Sequence, residues 1–398
     1  MKFSVLLPTR NRLQFLRFAV ETVRRQDYDD WEIIVADNDS EDDIAGYVAS
    51  CADARIRYRR SNRFLPVTEN WNAALAQSGG DYVIMLGDDD GLMPGYFRAM
   101  AQLVADFDRP ELIYTSGYLF AYPGVHPAHP NGLLNHYRNA AFFGDAERAF
   151  RLEPQTARRA ALDAMNFKMR FGFNMQYSLV SRSLIDRLRP LGPFFQSPFP
   201  DYYATIVMFL KARQIVVDPR PLVAIGITPK SYGFYLFNDR ESEGVEFLNS
   251  LDAGAVPERI GRILLPGTNM NTSWLLAMEA VASRLGGEMT LRVNHRRYRL
   301  LQALTVLRAS YRMPERSRGD VQQLRARLAW HERLLFNGMV GGLAMTLRMG
   351  GRRPRAAMRA LVRRATRRLR GSLEWQPQAS AQPLRTMLEV YESQAAAR

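Results

Sequence analysis

Cysteine and long apolar runs are nearly absent from this 398-residue sequence. Cys51 is the single cysteine, so an internal disulfide is excluded and we expect a reducing compartment. No stretch reaches the roughly 18 consecutive apolar residues that a membrane-spanning helix needs. Residues 1–8 lack the apolar core of a signal peptide and are typical of a first β-strand. These absences predict a cytoplasmic protein.

Lysine is absent from residues 251–398, which hold 26 Arg and 10 Asp or Glu, a net charge of +16. Residues 1–250 hold 28 Lys or Arg and 30 Asp or Glu, a net charge of −2. The excess positive charge therefore lies entirely in the second part, where it favours an anionic partner: a membrane surface, nucleic acid or a phosphorylated acceptor. Length and charge together predict two units, residues 1–240 and 241–398.

Short apolar runs alternate with helically spaced apolar residues through the first hundred positions. Strands are predicted at residues 3–7, 31–36, 55–59, 82–86 and 112–115, and helices between them at 13–23, 44–48, 68–76 and 94–107. This order predicts an α/β fold with a mostly parallel, Rossmann-like sheet flanked by helices. Neither a Gly-x-Gly-x-x-Gly motif after the first strand nor a Walker A loop is present, which argues against dinucleotide-binding and P-loop proteins.

Three polar segments come where predicted strands end: residues 9–12, 37–40 and 88–90. Ligands of parallel α/β sheets bind beyond the carboxyl ends of the strands, so we expect these segments to meet at one edge. Asp88, Asp89 and Asp90 repel one another unless a cation neutralises them. Mg²⁺ or Mn²⁺ bound together with substrate phosphates would do so, and an acidic turn without a ligand is the alternative.

Several motifs stand in a characteristic order. They are residues 5–12 (VLLPTRNR), 31–40 (WEIIVADNDS), Asn72, 80–82 (GDY) and 86–90 (LGDDD), followed by Pro94. Together they resemble the inverting GT-A fold glycosyltransferases of family 2, over roughly residues 1–230. The resemblance implies a nucleotide-sugar-binding half at 1–117 and an acceptor and catalytic half at 118–240.

The resemblance also implies roles for individual residues. The first loop would cradle the nucleotide, the end of the second strand would hold the nucleoside, and the acidic cluster would bind the ribose and the metal on the diphosphate. A divalent ion, Mn²⁺ or Mg²⁺, would neutralise charge that develops on the leaving diphosphate. The implied donor-binding residues are Pro8, Thr9, Arg10, Arg12, Asp37, Asn38, Asn72 and Asp88, and the implied metal ligands are Asp89 and Asp90.

Three positions depart from the family pattern. Asn38 stands where a second Asp often reads uracil, and an amide still offers a donor and an acceptor to a base edge. Gly87 occupies the leading acidic place, so Asp88 or Asp90 would share the work with Asp89. Trp71 replaces a frequent Arg, and we expect it to pack against neighbouring side chains.

Asp201 begins a predicted helix after the Pro198-Phe199-Pro200 segment. A helix N-cap is one interpretation of an Asp at such a position. The resemblance implies another, a catalytic base, because inverting transfer needs one carboxylate to take the proton from the attacking hydroxyl. Neighbouring aromatic residues would form core, and some of them would contact the acceptor.

Residues 118–145 are rich in Tyr, Pro, Gly, His and Asn, and they predict a long loop that is either a functional lid or plain surface. His126, His129 and His136 lie here, but without cysteines the pattern argues against zinc. Residues 171–180 predict a strand. Residues 227–234 predict a loop that closes on the donor, with Lys230 near the diphosphate.

From residue 256 onward the pattern is helical, with helices predicted at 289–307 and 321–335. Residues 355–370 combine an apolar stripe with seven Arg, which is typical of a helix in a membrane interface. A solvated helix packed on its own domain is the alternative, and nucleic acid is disfavoured because interleaved aromatics are missing.

These patterns predict a metal-dependent inverting glycosyltransferase that moves a sugar from a nucleotide-diphosphate donor to an acceptor hydroxyl. Its place would be cell-surface polysaccharide or lipid-linked glycan synthesis, on the inner face of the membrane. A nucleotidyltransferase is disfavoured because the Gly-rich basic loop is absent. A non-catalytic sugar-nucleotide-binding adaptor with a basic membrane- or nucleic-acid-binding tail is the remaining alternative.

Overall fold

A computed structural model describes residues 1–237, 258–267, 270–312, 318–348, 364 and 383–396. The strands of this part of the chain belong to one sheet, and they are β1 (Phe3–Thr9), β2 (Trp31–Asp37), β3 (Ile56–Arg60), β4 (Tyr82–Met85), β5 (Gly91–Leu92), β6 (Leu112–Ala121), β7 (Leu133–Tyr137), β8 (Phe150–Arg151), β9 (Ser178–Ser181) and β10 (Ile215–Ile227).

Helices flank the sheet and make up the described C-terminal region. They are α1 (Leu13–Arg24), α2 (Ile44–Ser50), α3 (Val67–Gln77), α4 (Tyr96–Asp106), α5 (Pro154–Met165), α6 (Arg182–Leu188), α7 (Pro200–Lys211), α8 (Tyr232–Phe237), α9 (Glu258–Gly261), α10 (Met270–Leu285), α11 (His295–Arg312), α12 (Arg318–Arg327), α13 (Trp330–Arg348) and α14 (Met387–Ala396). Short 3₁₀ turns occur at Ala141–Phe143, Met175–Tyr177 and Arg189–Leu191.

The strand order is β3-β2-β1-β4-β9-β6-β10-β5, with β7 beside β6 and β8 beside β10. β1 pairs in parallel with β2 and β4, and β2 pairs in parallel with β3. β9 runs antiparallel between β4 and β6, so the sheet is mixed in its second half. The predicted α/β class, with helices around a central sheet and a helical C-terminal region, is confirmed.

The core explains why the strand ends carry the polar residues. β2 is buried along its whole length, and in β1 only Pro8 is partly accessible. α1 buries Leu16, Ala19, Val20 and Val23, which lie on one helix face, and each large apolar side chain contributes roughly 1.5–3 kcal/mol. Inside the two strands the polar side chains Ser4 and Glu32 bond each other at 2.7 Å, and the other polar residues, Thr9 and Asp37, stand at the strand ends.

The last described helix, α14, packs against α1 and β5. Met387 is fully buried, and the Tyr391 hydroxyl donates to the carbonyl oxygen of Arg25 at 2.9 Å. Arg25 also pairs with Glu392 at 2.8 Å. Residues 383–396 therefore pack on the α/β layer, while the unit boundary near residue 240 stays a prediction.

Two predictions in the middle of the chain are wrong. Residues 118–145 are not one loop, because β6 continues to Ala121 and pairs antiparallel with β7. Pro and Gly at the hairpin tip hide the strand pattern on either side. The strand predicted at 171–180 is reduced to Ser178–Ser181, because Phe171 and Phe173 pack as core aromatics without regular pairing.

The C-terminal helices differ from their predicted bounds. Residues 321–335 contain the junction between α12 and α13, and the helix predicted at 289–307 is His295–Arg312. The helix predicted at 355–370 lies outside the described residues, apart from position 364. Among the residues that the structure describes, no helix has the length and apolarity to cross a membrane.

Gly226 gives a test of how tightly β10 approaches the acidic segment. A Cβ atom at Gly226 would lie 1.8 Å from the carbonyl oxygen of Asp89, so the backbone must shift to admit one. Gly226→Ala is expected to lower the free energy of unfolding by about 2–3 kcal/mol in urea denaturation. Gly319→Ala is the control, because its Cβ would meet no atom within 4 Å. An equal effect of both substitutions would contradict the close approach.

Candidate active site

A cavity of about 540 Å³ opens at the carboxyl ends of β1, β2 and β4. The loops after these strands, the start of α7 and the end of β10 form its walls. Of the residues predicted from sequence, the cavity is lined by Pro8, Thr9, Arg10, Arg12, Asn38, Asp88, Asp89, Asp90 and Asp201. Two segments more than 100 positions apart, 88–90 and the start of α7, therefore face one space.

Asp88 is fixed by the loop that follows β1. Its Oδ2 accepts a hydrogen bond from the Thr9 hydroxyl at 2.7 Å, and its Oδ1 pairs with Arg12 Nη1 at 2.8 Å. Burial raises the pKa of Asp88 to about 6, although the facing Arg12 charge opposes that rise. Thr9 and Arg12 thus hold Asp88 against the first loop, where the resemblance placed a donor-binding residue.

Asp89 lies at the centre of a second group of contacts. Its Oδ2 pairs with Arg12 Nη2 at 2.5 Å and accepts hydrogen bonds from the hydroxyls of Thr228 and Ser231. Arg12 Nη2 also donates to Thr228 at 2.7 Å. The segment after β10 is therefore joined to the acidic cluster through one carboxylate oxygen.

Asp90 is held by backbone amides and one glutamine. Oδ1 accepts from the Gly226 amide at 2.8 Å, and Oδ2 accepts from the Gly87 amide at 2.8 Å and from Gln176 at 2.5 Å. Burial, followed by the neighbouring charge of Asp89, raises the pKa of Asp90 to about 8. A Cβ at Gly87 would lie 2.5 Å from Asp90 Oδ2, so glycine at the leading place makes room for this carboxylate.

Arg12 is the cation of the cluster. Burial alone would lower its pKa, but the charges of Asp88 and Asp89 outweigh that effect and raise it. Its side chain is only 11% exposed. Like charges stay together in a fold when a counter-charge is built in, and here a guanidinium fork contacts two carboxylates at once.

The remaining predicted donor-binding residues contact protein groups. Asn38 donates from Nδ2 to the Leu65 carbonyl at 2.9 Å and accepts from the Leu65 amide at 2.8 Å. Asp37 accepts from the Tyr58 hydroxyl at 2.7 Å, and Asn72 bonds the backbone of Phe195 in both directions. The structure therefore places Asp37 and Asn72 beside the cavity, as braces for its walls.

Two aromatic residues near the first loop have different surroundings. The Arg10 guanidinium lies 3.9 Å from the centre of the Phe64 ring, and both side chains line the cavity. Trp71 also lines the cavity, and it packs edge-on against Phe195, as expected. Phe64 is not among the predicted site residues, because a single aromatic residue in a loop gives no pattern.

Asp201 lies in the first turn of α7. The N-cap position is Phe199, and no side chain caps the helix there, so the N-cap interpretation of Asp201 is wrong. Its Oδ1 accepts from the Tyr202 amide at 3.0 Å. Burial raises the pKa of Asp201 to about 7. A carboxylate with that pKa can exchange a proton near neutral pH.

A divalent ion fits this site in a restricted way. Among the described residues, no group of three or more His, Cys, Asp or Glu could hold a metal ion without other ligands. The oxygens of Asp88 and Asp90 already have protein partners, whereas Asp89 Oδ1 has no hydrogen bond within the part described. Mg²⁺ and Mn²⁺ commonly bind through one or two carboxylates plus substrate phosphates. The residues therefore fit an ion shared between Asp89 and a diphosphate, and Asp90 as a ligand stays a prediction.

Sequence reasoning missed Gln176, Thr228 and Ser231, which bond the acidic cluster. Thr228 and Ser231 fall inside the loop predicted at 227–234, where the prediction names Lys230. Lys230 Nζ donates to the backbone carbonyl of Asn11 at 3.0 Å. Polar residues in a loop carry no periodic signal, so their partners become visible only when the fold brings them together.

The acidic cavity lies at the strand ends of an α/β domain. Residues 4–153 match the family model described as "Glycosyl transferase family 2". This match, which covers less than half of the chain, confirms the resemblance stated from the motifs.

The similar proteins cover different shares of the chain. A Campylobacter jejuni protein named GalNAc(5)-diNAcBac-PP-undecaprenol beta-1,3-glucosyltransferase is 36% identical over 104 residues, 25% of this chain and 34% of the relative. The putative colanic acid biosynthesis glycosyl transferase WcaA of Escherichia coli K12 is 27% identical over 134 residues, 32% and 48% of the two chains. The chain thus spans a third to a half of these relatives. The structure of S. aureus TarS 1-349 in complex with UDP-GlcNAc aligns over 88% of this chain and 92% of that chain, at 15% identity and a TM-score of 0.46.

Removal of the Arg12 charge tests whether the cluster depends on it. Arg12→Gln leaves two buried carboxylates without their cation, and the free energy of unfolding at neutral pH is expected to fall by about 3 kcal/mol. Arg10→Gln is the matched control two positions away, because Arg10 is exposed and stacks on Phe64. Urea denaturation of both variants decides the point. A loss for Arg12→Gln no greater than for the control would contradict the account.

The raised pKa of Asp201 predicts a pH dependence of stability. Between its ordinary pKa of 3.8 and its folded pKa of about 7, the folded state binds the proton more tightly than the unfolded state. The contribution of Asp201 to stability is therefore present at low pH and is lost as pH rises through about 7. Asp201→Asn removes this dependence, so the variant should gain stability relative to the wild type from about pH 4 to about pH 7 in urea denaturation, with little further gain above that range. A difference that stays constant with pH would show that the folded pKa is ordinary.

Proposed function

We propose that the protein is a metal-dependent inverting glycosyltransferase that moves a sugar from a nucleotide-diphosphate donor to an acceptor hydroxyl. One observation carries the proposal: the buried acidic cluster at 88–90 and the carboxylate of Asp201 line the same cavity. The acidic cluster would bind a nucleotide diphosphate, and Asp201 would accept a proton from the acceptor hydroxyl. Direct displacement needs both groups at one anomeric carbon.

The donor would lie along the first loop and the acidic cluster. Thr9 and Arg12 hold Asp88 in place for a ribose hydroxyl, and Arg10 with Phe64 offers a flat cationic surface to the nucleoside. Arg12 would also face the diphosphate, since its guanidinium donates from within the cavity wall. A divalent ion at Asp89 would supply Lewis-acid neutralisation of the leaving diphosphate.

The acceptor would enter beside α7. Asp201 would take the proton from the acceptor hydroxyl while the hydroxyl oxygen of the acceptor forms a bond to the anomeric carbon. The bond between that carbon and the diphosphate oxygen breaks, and attack from the opposite face inverts the anomeric configuration. The pKa of about 7 supports this role, because a base with that pKa is largely ionised above neutral pH and still accepts a proton.

A lipid-linked or cell-surface glycan is the acceptor class that the relatives support. The name of the Campylobacter jejuni relative gives a glucosyltransferase and a PP-undecaprenol-linked glycan, and that of the Escherichia coli relative gives colanic acid biosynthesis. An acceptor of this kind would bring the protein to the inner face of a membrane, which the charge of +16 over residues 251–398 also favours. The adaptor alternative is not favoured, because these relatives are named glycosyltransferases.

Substitution of the proposed base separates binding from chemistry. Asp201→Asn keeps the shape of the side chain and removes its ability to accept a proton, so transfer should fall at least about 1000-fold while donor affinity stays within about threefold. Transfer is measured with radiolabelled nucleotide sugars, and donor binding is measured by calorimetry. Asp186→Asn on α6 is the control, since Asp186 is exposed and lies outside the cavity lining. Near-normal turnover of Asp201→Asn would sink the assignment.

A further inference from the structure

The helices α11 and α13 present large apolar side chains to solvent. Trp330 is 79% exposed, Leu334 is 68% exposed, Leu335 is 67% exposed and Leu300 is 43% exposed. No other large hydrophobic side chain of the described residues is exposed to this degree. Isolated exposed apolar residues are ordinary, but four within two adjoining helices are a patch, and such patches mark interaction surfaces. We refer to these four residues as the α13 patch.

The α13 patch has the spacing of a helix face. Trp330 and Leu334 are four residues apart, so they lie above one another on one side of α13. The same helix continues with Gly338, Gly341 and Gly342, at each of which a Cβ would meet no atom within 4 Å. The opposite side is buried, since Phe336 packs into the core at 1% exposure. α13 therefore has one face in the protein and one that its described neighbours leave open.

An ion pair joins the two helices that carry the patch. Arg299 of α11 donates from Nε and Nη2 to the carboxylate of Glu332 of α13 at 2.9 and 2.7 Å. Leu300 follows Arg299, and Leu334 and Leu335 follow Glu332 by two and three positions. Because this ion pair holds α11 against α13, the patch keeps a defined shape although its side chains are exposed to solvent.

The charge around the patch is one-sided. Residues 295–348 hold 11 Arg, no Lys and 3 Asp or Glu, a net of +8, and one of these acids, Glu332, is paired with Arg299. Exposed Arg296 lies one turn before Leu300 on α11, and exposed Arg333 lies between Trp330 and Leu334 on α13. Arginine side chains beside apolar residues can keep their charge at a phosphate-rich surface while their stems stay apolar.

We propose that the α13 patch is a membrane-docking surface that inserts Trp330, Leu334 and Leu335 into the interface of an anionic bilayer. Apolar side chains flanked by Arg, with a Trp at one end, have the composition of helices that lie in a lipid interface. A second copy of the chain is a poorer occupant, because two strongly positive surfaces repel when they face each other. This surface rests on the proposed membrane-proximal function, and it would hold the enzyme at a lipid-linked acceptor.

Vesicle cosedimentation of the full-length protein tests the proposal without donor or acceptor, so it can fail while the transferase assignment stands. Wild-type protein should bind vesicles that contain phosphatidylglycerol and bind vesicles of phosphatidylcholine alone more weakly. The double variant Leu334→Gln/Leu335→Gln should lower the partition coefficient at least about tenfold, because two leucine side chains no longer insert into the lipid interface. Both leucines are exposed, so the variant is expected to fold, and circular dichroism checks this.

A charge control separates insertion from general attraction. Arg158→Gln/Arg159→Gln on α5 removes two exposed positive charges far along the sequence from the patch, and vesicle binding should stay within about twofold of wild type. Trp330 gives a second readout, because its fluorescence should shift to the blue on phosphatidylglycerol vesicles, and Trp330→Phe should remove that shift. Wild-type protein that binds no anionic vesicles, or a leucine variant that binds as wild type does, overturns the proposal. A dimer in solution that the leucine variant dissociates, with no vesicle binding, assigns the patch to a second copy and also overturns it.

Discussion

The contact between Arg12 and the carboxylates of Asp88 and Asp89 is the interaction on which the site depends. Three consecutive buried acids would repel one another, and this guanidinium lets them be packed at one sheet edge. The same cation also reaches Thr228, so the loop after β1, the segment after β4 and the end of β10 share one polar group. A cavity built this way holds a fixed counter-charge to two of its carboxylates before any ligand arrives, which reduces the reorganisation that binding requires.

The sequence predicted the first half of the fold well because local and global signals agree there. β1, β2 and β4 are short apolar runs that end in polar residues, and a parallel sheet brings such ends together by its geometry. Thr9, Asp88 and Asp201 could be placed in advance for this reason, or through the family resemblance. The second half is mixed, and antiparallel β9 sits between β4 and β6, an insertion that no local pattern reports.

The sequence could not predict which polar groups would become hydrogen-bond partners. The Asn38 amide pairs with the backbone of Leu65, and the carboxylate of Asp90 accepts from Gly226, contacts that span 27 and 136 positions. Such contacts depend on backbone approach, as the absence of a side chain at Gly87 and Gly226 shows. Gly87 departs from the family pattern, and the structure gives a reason: Asp90 fills the space of the missing side chain. The missing side chain at Gly87 thus leaves room for the carboxylate of Asp90.

In the proposed function, this cavity binds a nucleotide diphosphate through a divalent ion at Asp89. Calorimetric titration of nucleoside diphosphates with and without Mn²⁺, on wild type and on Asp89→Asn, tests it most directly. We expect that at least one diphosphate binds the wild type, that Mn²⁺ tightens its binding at least about tenfold, and that Asp89→Asn loses the Mn²⁺ effect. Binding that is equally tight without Mn²⁺ and unchanged in Asp89→Asn would contradict it.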